Sequence, residues 1–339
     1  MLKSIHIKNF KSLKNESIAL KNITIFTGPN SSGKSTALLA ILLAYYENIP
    51  DEEIKNYIEA HKGKALSFDE PVSSLVEIIM KDDINKNYGI TIELDRIINI
   101  INENETPARN MYFICADRIG PRNTYDIPLK DRLDIYGRYS VSFLEKNKNK
   151  PLATELIHKK SILETLGGQV NYWLQYIVDT EIRTSKKSEY TDAMYSHSGE
   201  EYISPLATGF GTSTLLPIII QCLSATPGDI IIIENPEVHL HPQAQSKLAD
   251  FFAFIVNAGI QIIIETHCEH LIYNLCYNVN KRYIDKNNIV LHYKPDNKKA
   301  FVNIYTDENG RFIDKNGEHT SFPSGFFDAT LQKYLSIYR

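Results

Sequence analysis

Gly28-Pro29-Asn30-Ser31-Ser32-Gly33-Lys34-Ser35-Thr36 meets the pattern G-x-x-x-x-G-K-[ST] at every fixed position. Ile23-Thr24-Ile25-Phe26 runs into it as a short apolar strand, and residues 35–46, rich in Ala and Leu, leave it as a buried helix. Strand, glycine turn and helix in that order let a chain wrap its amide N–H groups around a pyrophosphate, with the positive end of the helix facing the anion. Glycine is needed because the backbone itself must come close to the phosphates. Gly28, Asn30, Ser31 and Gly33 then shape the cradle. Lys34 reaches the β- and γ-phosphates, Ser35 offers a hydroxyl to Mg2+, and Thr36 contacts the α-phosphate. The expected ligands are ATP and Mg2+.

Working outward, Ile230-Ile231-Ile232-Ile233-Glu234 is a second apolar strand, and it carries an acid to its end. Residues 259–265 form another. Isoleucine runs with few polar breaks mark strands covered on both faces, as in a parallel sheet. At the carboxyl edge of such a sheet Glu234 can hold Mg2+ opposite the phosphate loop. Helices are expected over 210–223, Pro217 notwithstanding, and over 242–256, where Pro242 suits a first turn. Residues 5–10 alternate as a half-buried strand, 18–20 form a second, and 289–293, 301–305 and 311–314 read as closing short strands.

The middle differs. Strands at 75–80, 89–94 and 97–101, separated by Asp/Asn/Lys turns, suggest a small antiparallel sheet. Residues 102–107 read as a polar loop and 111–116 as an apolar strand. Residues 152–182 look helical with a break at Gly167-Gly168, and 184–201 look polar and mobile. The expected fold is α/β: a head made of 1–46 and 206–339, with a mainly parallel core sheet and an antiparallel β subdomain. Residues 47–205 are expected as a mixed, partly helical insertion.

Composition narrows the setting. The 339 residues are 43% hydrophobic and 23% charged with a net charge of −4, ordinary for a globular protein and no advertisement of a nucleic-acid binder. Cys115, Cys222, Cys268 and Cys276 form no Cys-x-x-Cys pair, and three lie in or beside apolar runs. That favours a reducing, cytoplasmic location over a disulfide framework. The first residues alternate like a strand, unlike a signal peptide, and no apolar stretch approaches the roughly 20 residues of a membrane helix. His239 and His241 lack the companion ligands of a metal site.

Several motifs, in order, resemble the ABC-type ATPases of the SMC/RecF/OLD branch. Ile5-His6-Ile7-Lys8-Asn9-Phe10-Lys11-Ser12 is similar to that branch's first strand, and residues 28–36 to its Walker A loop. Thr208-Gly209-Phe210-Gly211-Thr212-Ser213 resembles a degenerate signature motif. Glu234-Asn235-Pro236-Glu237-Val238-His239-Leu240-His241-Pro242 resembles Walker B plus D-loop. Ile262-Ile263-Ile264-Glu265-Thr266-His267 resembles the switch-histidine strand. Ala116-Asp117-Arg118-Ile119-Gly120-Pro121-Arg122 is similar to an element of short bacterial members, some of them in anti-phage defence.

The resemblance implies an ATP-dependent homodimer or higher oligomer, with two ATPs between heads set head to tail. Thr208 and Gly209 of one head would close on the γ-phosphate held by the other. His267 would meet the γ-phosphate or the attacking water, and His239 and His241 would sit at the dimer seam. One departure matters. The glutamate that usually follows the metal-binding acid is Asn235 here, and an amide cannot take a proton from water. Either hydrolysis is slow and ATP acts as a clamp, or Glu237 or His267 orients the water. With about 70 residues after His267, the acidic nuclease domain of other branch members is not expected, and no long heptad segment is present to form their coiled-coil arm. Cleavage of nucleic acid, where it occurs, would therefore fall to a separate effector, and contact with DNA is left open. The leading expectation is an ATP-hydrolysing switch for such a partner, in anti-phage defence or DNA maintenance. The alternative is a non-hydrolysing, ATP-gated scaffold for a separate nuclease or toxin subunit.

Overall fold

A computed structural model describes residues 1–47, 51–63, 75–93, 96–101, 109–128 and 132–323. In chain order the elements are β1 (Leu2–Phe10), β2 (Leu13–Ala19), β3 (Ile23–Thr27), α1 (Lys34–Tyr46), α2 (Glu52–Lys62), β4 (Val76–Asp82), β5 (Asn87–Glu93) and β6 (Arg96–Ile101). Then come β7 (Met111–Ile114), β8 (Tyr125–Asp126), α3 (Ser140–Asn147), α4 (Leu166–Val178), β9 (Thr180–Lys186), β10 (Tyr190–His197), α5 (Phe210–Ser224), β11 (Ile230–Glu234) and α6 (Pro242–Asn257). The last are β12 (Gln261–Glu265), α7 (Glu269–Asn280), β13 (Ile289–Tyr293), β14 (Val302–Thr306) and β15 (Phe312–Ile313). No helix among the described residues is long and apolar enough to cross a membrane.

The chain forms two compact units. The first comprises Met1–Asn110, Ile263–Glu269 and Cys276–Arg339. It holds an antiparallel sheet in the order β2-β1-β4-β5-β6 and, beside one another, β15-β14-β13-β3-β12. The expected small antiparallel sheet of the middle region is thus three strands added to the β1–β2 hairpin, with Ile5 opposite both Ile18 and Met80. Helix α1 packs on β1, β4, β5 and α2. Its residues 37–46 are all buried, because the helix is covered on every side rather than along one stripe. Strand β3 is wholly buried and pairs in parallel with β13, Thr27 opposite Tyr293. Residues 102–107, expected as a loop, lie outside the described residues.

The second unit comprises Met111–Ile262 and His270–Leu275. Strand β11 pairs in parallel with β7, Ile233 opposite Ile114, so both strands end at the same edge. Helix α4 packs on α5, α6 and β9. Its Trp173, 3% exposed, meets Phe251, Phe254 and Tyr172 edge-on or tilted.

Two expectations fail in this unit. Residues 152–182 are not one helix with a break at the glycines. Gly167-Gly168 open α4, with Thr165 Oγ1 accepting from the Gly168 amide at 3.4 Å. The glycines are required by close approach: a Cβ on Gly168 would lie 2.2 Å from Leu163 Cβ, and one on Gly167 3.0 Å from the Lys148 carbonyl oxygen. Residues 184–201 are not a loose polar stretch either, since most of them lie in the β9–β10 hairpin. Its inward face is Thr180, Ile182, Thr191, Ala193 and Tyr195, the last 0% exposed. Only a few of these are apolar enough to show a period of two among Lys, Ser, Glu and Asp, so the alternation is masked.

Candidate nucleotide site

The expected site residues divide between the units: 28–36 and His267 in the first, Thr208, Gly209, Glu234, Asn235 and Glu237 in the second.

In the first unit the β3–α1 loop is forced by its neighbour. The Lys294 amide donates to the Thr27 carbonyl at 2.9 Å, and a Cβ on Gly28 would sit 2.2 Å from the Lys294 carbonyl oxygen. Gly28 has φ +139°, Ser31 +59° and Gly33 +110°, so the loop turns through the left-handed region three times. Behind it the Lys294 ammonium, 1% exposed, pairs with Glu16 at 3.0 Å and holds β13 in place. Helix α1 has Gly33 as N-cap with no side-chain cap and no acid in its first turn. Its first N–H groups are therefore left for an outside anion. They face a cavity of about 220 Å3 lined by Lys11, Ser31, Gly33, Lys34, Ser35 and Thr36, among others. Asn30 is exposed on the same loop.

The electrostatics suit a polyphosphate. Lys34 is 3% exposed and donates to the Pro29 carbonyl at 2.7 Å. Burial lowers its pKa, and the nearby Glu265 charge partly restores it. Strand β12 lies beside β3, the Thr266 amide donating to the Phe26 carbonyl at 3.0 Å. That brings Glu265 and His267 to the loop. Ser35 Oγ donates to Glu265 Oε1 at 2.8 Å. The His267 pKa is lowered, first by burial and then by the Lys34 charge, so its imidazole stays neutral at pH 7 and can both donate and accept. An uncapped helix start, a buried ammonium and strained glycines fit ATP phosphates.

In the second unit, the strand-end loops are drawn together by Arg118, 6% exposed. Its Nε donates to the Thr214 carbonyl at 3.0 Å, Nη1 to the Cys115 and Glu234 carbonyls at 2.7 and 2.8 Å, and Nη2 to the Asn235 carbonyl at 2.7 Å. Burial lowers its pKa, while Cys115, Glu237 and Glu234 raise it. Glu234, 9% exposed, accepts from the Ala116 amide at 3.2 Å. Asn235 sits at φ +40°, and its amide donates to Glu237 Oε1 at 3.5 Å. Thr208 precedes Gly209, the N-cap of α5, and its hydroxyl donates to the Pro205 carbonyl at 2.8 Å. A Cβ on Gly211 would lie 2.8 Å from the His239 carbonyl oxygen, so the start of α5 and the 235–241 loop are packed backbone to backbone.

A family model described as "AAA ATPase domain" matches residues 1–160 and 125–272. The chain belongs to this AAA ATPase domain family. As a member it is an ATP-binding ATPase domain. Its fold is that of an SMC head domain from Pyrococcus furiosus, solved with an extended coiled coil and bound to the C-terminal domain of ScpA. That structure is 13% identical over 100% of this chain and 99% of its own, with a TM-score of 0.55. The SMC head domain from Thermotoga maritima is 12% identical over 89% of this chain and 98% of its own, at a TM-score of 0.49. No curated protein sequence matches the chain significantly.

Three residues of this AAA ATPase domain stand in the sites without a role assigned from sequence: Glu265, Lys11 and Arg118. For Glu265 the signal is present, since a buried isoleucine strand ends in an acid there just as it does at Glu234. For Lys11, whose ammonium reaches the His61 carbonyl at 2.8 Å, nothing local marks it. Arg118 is visible only as part of the motif around residues 116–122.

Proposed function

We propose that the chain binds Mg-ATP at residues 28–36, hydrolyses it slowly, and pairs head to tail with a second copy around two ATPs, so that ATP switches a separate effector protein or DNA contact. The observation that carries the reading is the uncapped start of α1 over a cavity holding the buried Lys34. The α1 amides and Lys34 would bind the phosphates and offset their charge. Ser35, and by the motif resemblance Glu234, would be offered to Mg2+, which when bound would stabilise the charge that develops on the phosphate oxygens. Neutral His267 would orient the attacking water. Glu237, which accepts from the Asn235 side-chain amide at 3.5 Å, would be the carboxylate that takes its proton. Thr208 and Gly209 would cover the γ-phosphate of the paired copy. Leu206 and Phe210, 56% and 55% exposed, flank them as apolar contact surface. Residues 47–205 would serve as the insertion that the effector reads. The Pyrococcus furiosus head is bound to another protein's domain, which supports a separate protein partner here. Anti-phage defence or DNA maintenance, in the cytoplasm, is the setting we favour.

Asn235 supports a second reading, in which ATP clamps a scaffold for a nuclease or toxin subunit without turnover, because an amide accepts no proton. Phosphate release and light-scattering mass with Mg-ATP, for the natural chain, Asn235→Glu and Lys34→Ala, separate the two. Turnover by the natural chain supports the switch. An ATP-bound dimer without turnover, gaining it in Asn235→Glu, supports the scaffold. Unchanged ATP affinity in Lys34→Ala would sink both.

A further inference from the structure

Glu265 ends β12 with 5% exposure, and its Oε1 accepts the Ser35 hydroxyl at 2.8 Å. Through Ser35, which lines the cavity over the phosphate loop, it reaches the start of α1. Two anions side by side in a low-dielectric pocket repel strongly unless a cation lies between them. Lys34 feels the Glu265 charge, its ammonium donates to the Pro29 carbonyl, and it is assigned to the phosphates in the proposed function.

We infer that Glu265 is a metal-site residue, the carboxylate that shares with Ser35 the divalent cation arriving with the nucleotide. This rests on the reading of residues 28–36 as a nucleotide site. The spacing fits. Octahedral Mg2+ holds its ligands at about 2.0–2.1 Å, which puts two adjacent ligands about 2.9 Å apart; the Ser35 and Glu265 oxygens are 2.8 Å apart. The donor set fits too. Mg2+ in nucleotide sites takes one or two carboxylates and completes its shell with phosphate and water. Among the described residues no group of three or more His, Cys, Asp or Glu offers an all-protein cage. Rigidity favours the role, because the Thr266–Phe26 backbone bond fixes the strand end beside the loop. In this arrangement the Ser35–Glu265 hydrogen bond keeps the two oxygens together; with the cation bound, the Ser35 hydroxyl would ligate through a lone pair and keep its proton.

The test compares the affinity of a fluorescent ADP analogue in EDTA and in Mg2+, together with Mn2+ binding to the ADP complex followed by electron paramagnetic resonance. The proteins are the natural chain, Glu265→Gln, Glu265→Asp, Ser35→Ala and Glu234→Gln. Glu265→Gln should keep the EDTA affinity within about twofold and lose about tenfold or more of the Mg2+-dependent gain and of Mn2+ affinity. Ser35→Ala should show the same loss and Glu265→Asp a partial one. Loss in Glu234→Gln as well would mean that both acids serve the cation, and it supports the inference. A full Mg2+ gain in Glu265→Gln overturns it, whatever Ser35→Ala shows, and leaves Glu265 as a helix-start acceptor. Should Glu265→Gln fail to fold, Glu265→Asp decides: a partial loss of the Mg2+ gain supports the inference and a full gain overturns it. Failure of the phosphate-loop reading looks different, since the natural chain would then bind no ADP analogue under either condition, and the inference falls with it.

Discussion

Replacing Arg118 by Met should unfasten the second unit's strand-end loops. The guanidinium donates four bonds of 2.7–3.0 Å to carbonyls of residues 115, 214, 234 and 235. A hydrogen bond with a charged donor contributes about 1.5–3 kcal/mol, so four amount to roughly 6–12 kcal/mol before the cost of burying the cation. That cost is several kcal/mol, and it leaves a net loss of about 3–5 kcal/mol for Arg118→Met. Lys keeps the charge but has no fork and three donors at most, so Arg118→Lys should lose about 2 kcal/mol. The assay is urea unfolding followed by fluorescence of Trp173. It is the sole tryptophan and lies in the same unit. With an m-value of about 2 kcal/mol/M, the midpoint should fall by about 2 M for Met and about 1 M for Lys. Turnover should fall in the same order, because Glu234 and Asn235 are anchored through their carbonyls. If both variants unfold within about 0.3 M of the natural chain, the guanidinium is not what holds these loops, and the reasoning is refuted.

Gly28→Ala places a methyl 2.2 Å from the Lys294 carbonyl oxygen at φ +139°; we expect about 2–4 kcal/mol of destabilisation and weakened ATP binding, read by calorimetry and nucleotide titration. His292, 0% exposed, faces the Ala19 carbonyl and the Asn303 amide at 2.8 Å each, and burial holds its pKa below the usual value. The unfolded chain then binds more protons below pH 6.5, so stability falls as pH drops through that range, by up to about 1.4 kcal/mol per pH unit. His292→Gln should flatten this part of the stability–pH curve measured by circular dichroism between pH 7.5 and 5.5, and an unchanged slope would count against the buried neutral imidazole. Thr208→Arg should block ATP-induced pairing seen by light scattering while leaving ATP affinity intact; loss of affinity in the monomer would mean that Thr208 does not face a paired copy.

What the sequence makes legible follows from how locally each feature is specified. The phosphate loop is written in nine consecutive residues, and the isoleucine strands β11 and β12 announce their burial on both faces. Helix α4 and the β9–β10 hairpin are harder. In α4 the two glycines read as a stop, yet they are demanded by Leu163 and Lys148, which no local pattern reveals. In β10 the inward residues Thr191, Ala193 and Tyr195 are too mixed in polarity to show their alternation. At the site, Lys34 and Ser35 carry their motif with them. Glu265 acquires its place only because β12 lies beside β3, and Arg118 only because residues nearly a hundred or more positions away bring it three of its four carbonyls.

The loop after β3 leans on β13. The Lys294 amide caps Thr27, and its side chain meets Glu16, 278 residues earlier. During synthesis, then, a ribosome that has released residues 1–46 has delivered every letter of the phosphate motif and none of its supporting wall. A nascent chain shorter than about 300 residues lacks the strand that shapes the cradle, and contacts of such separation form late. A fragment ending between the two strands would carry the motif without the Lys294 contacts that shape its loop.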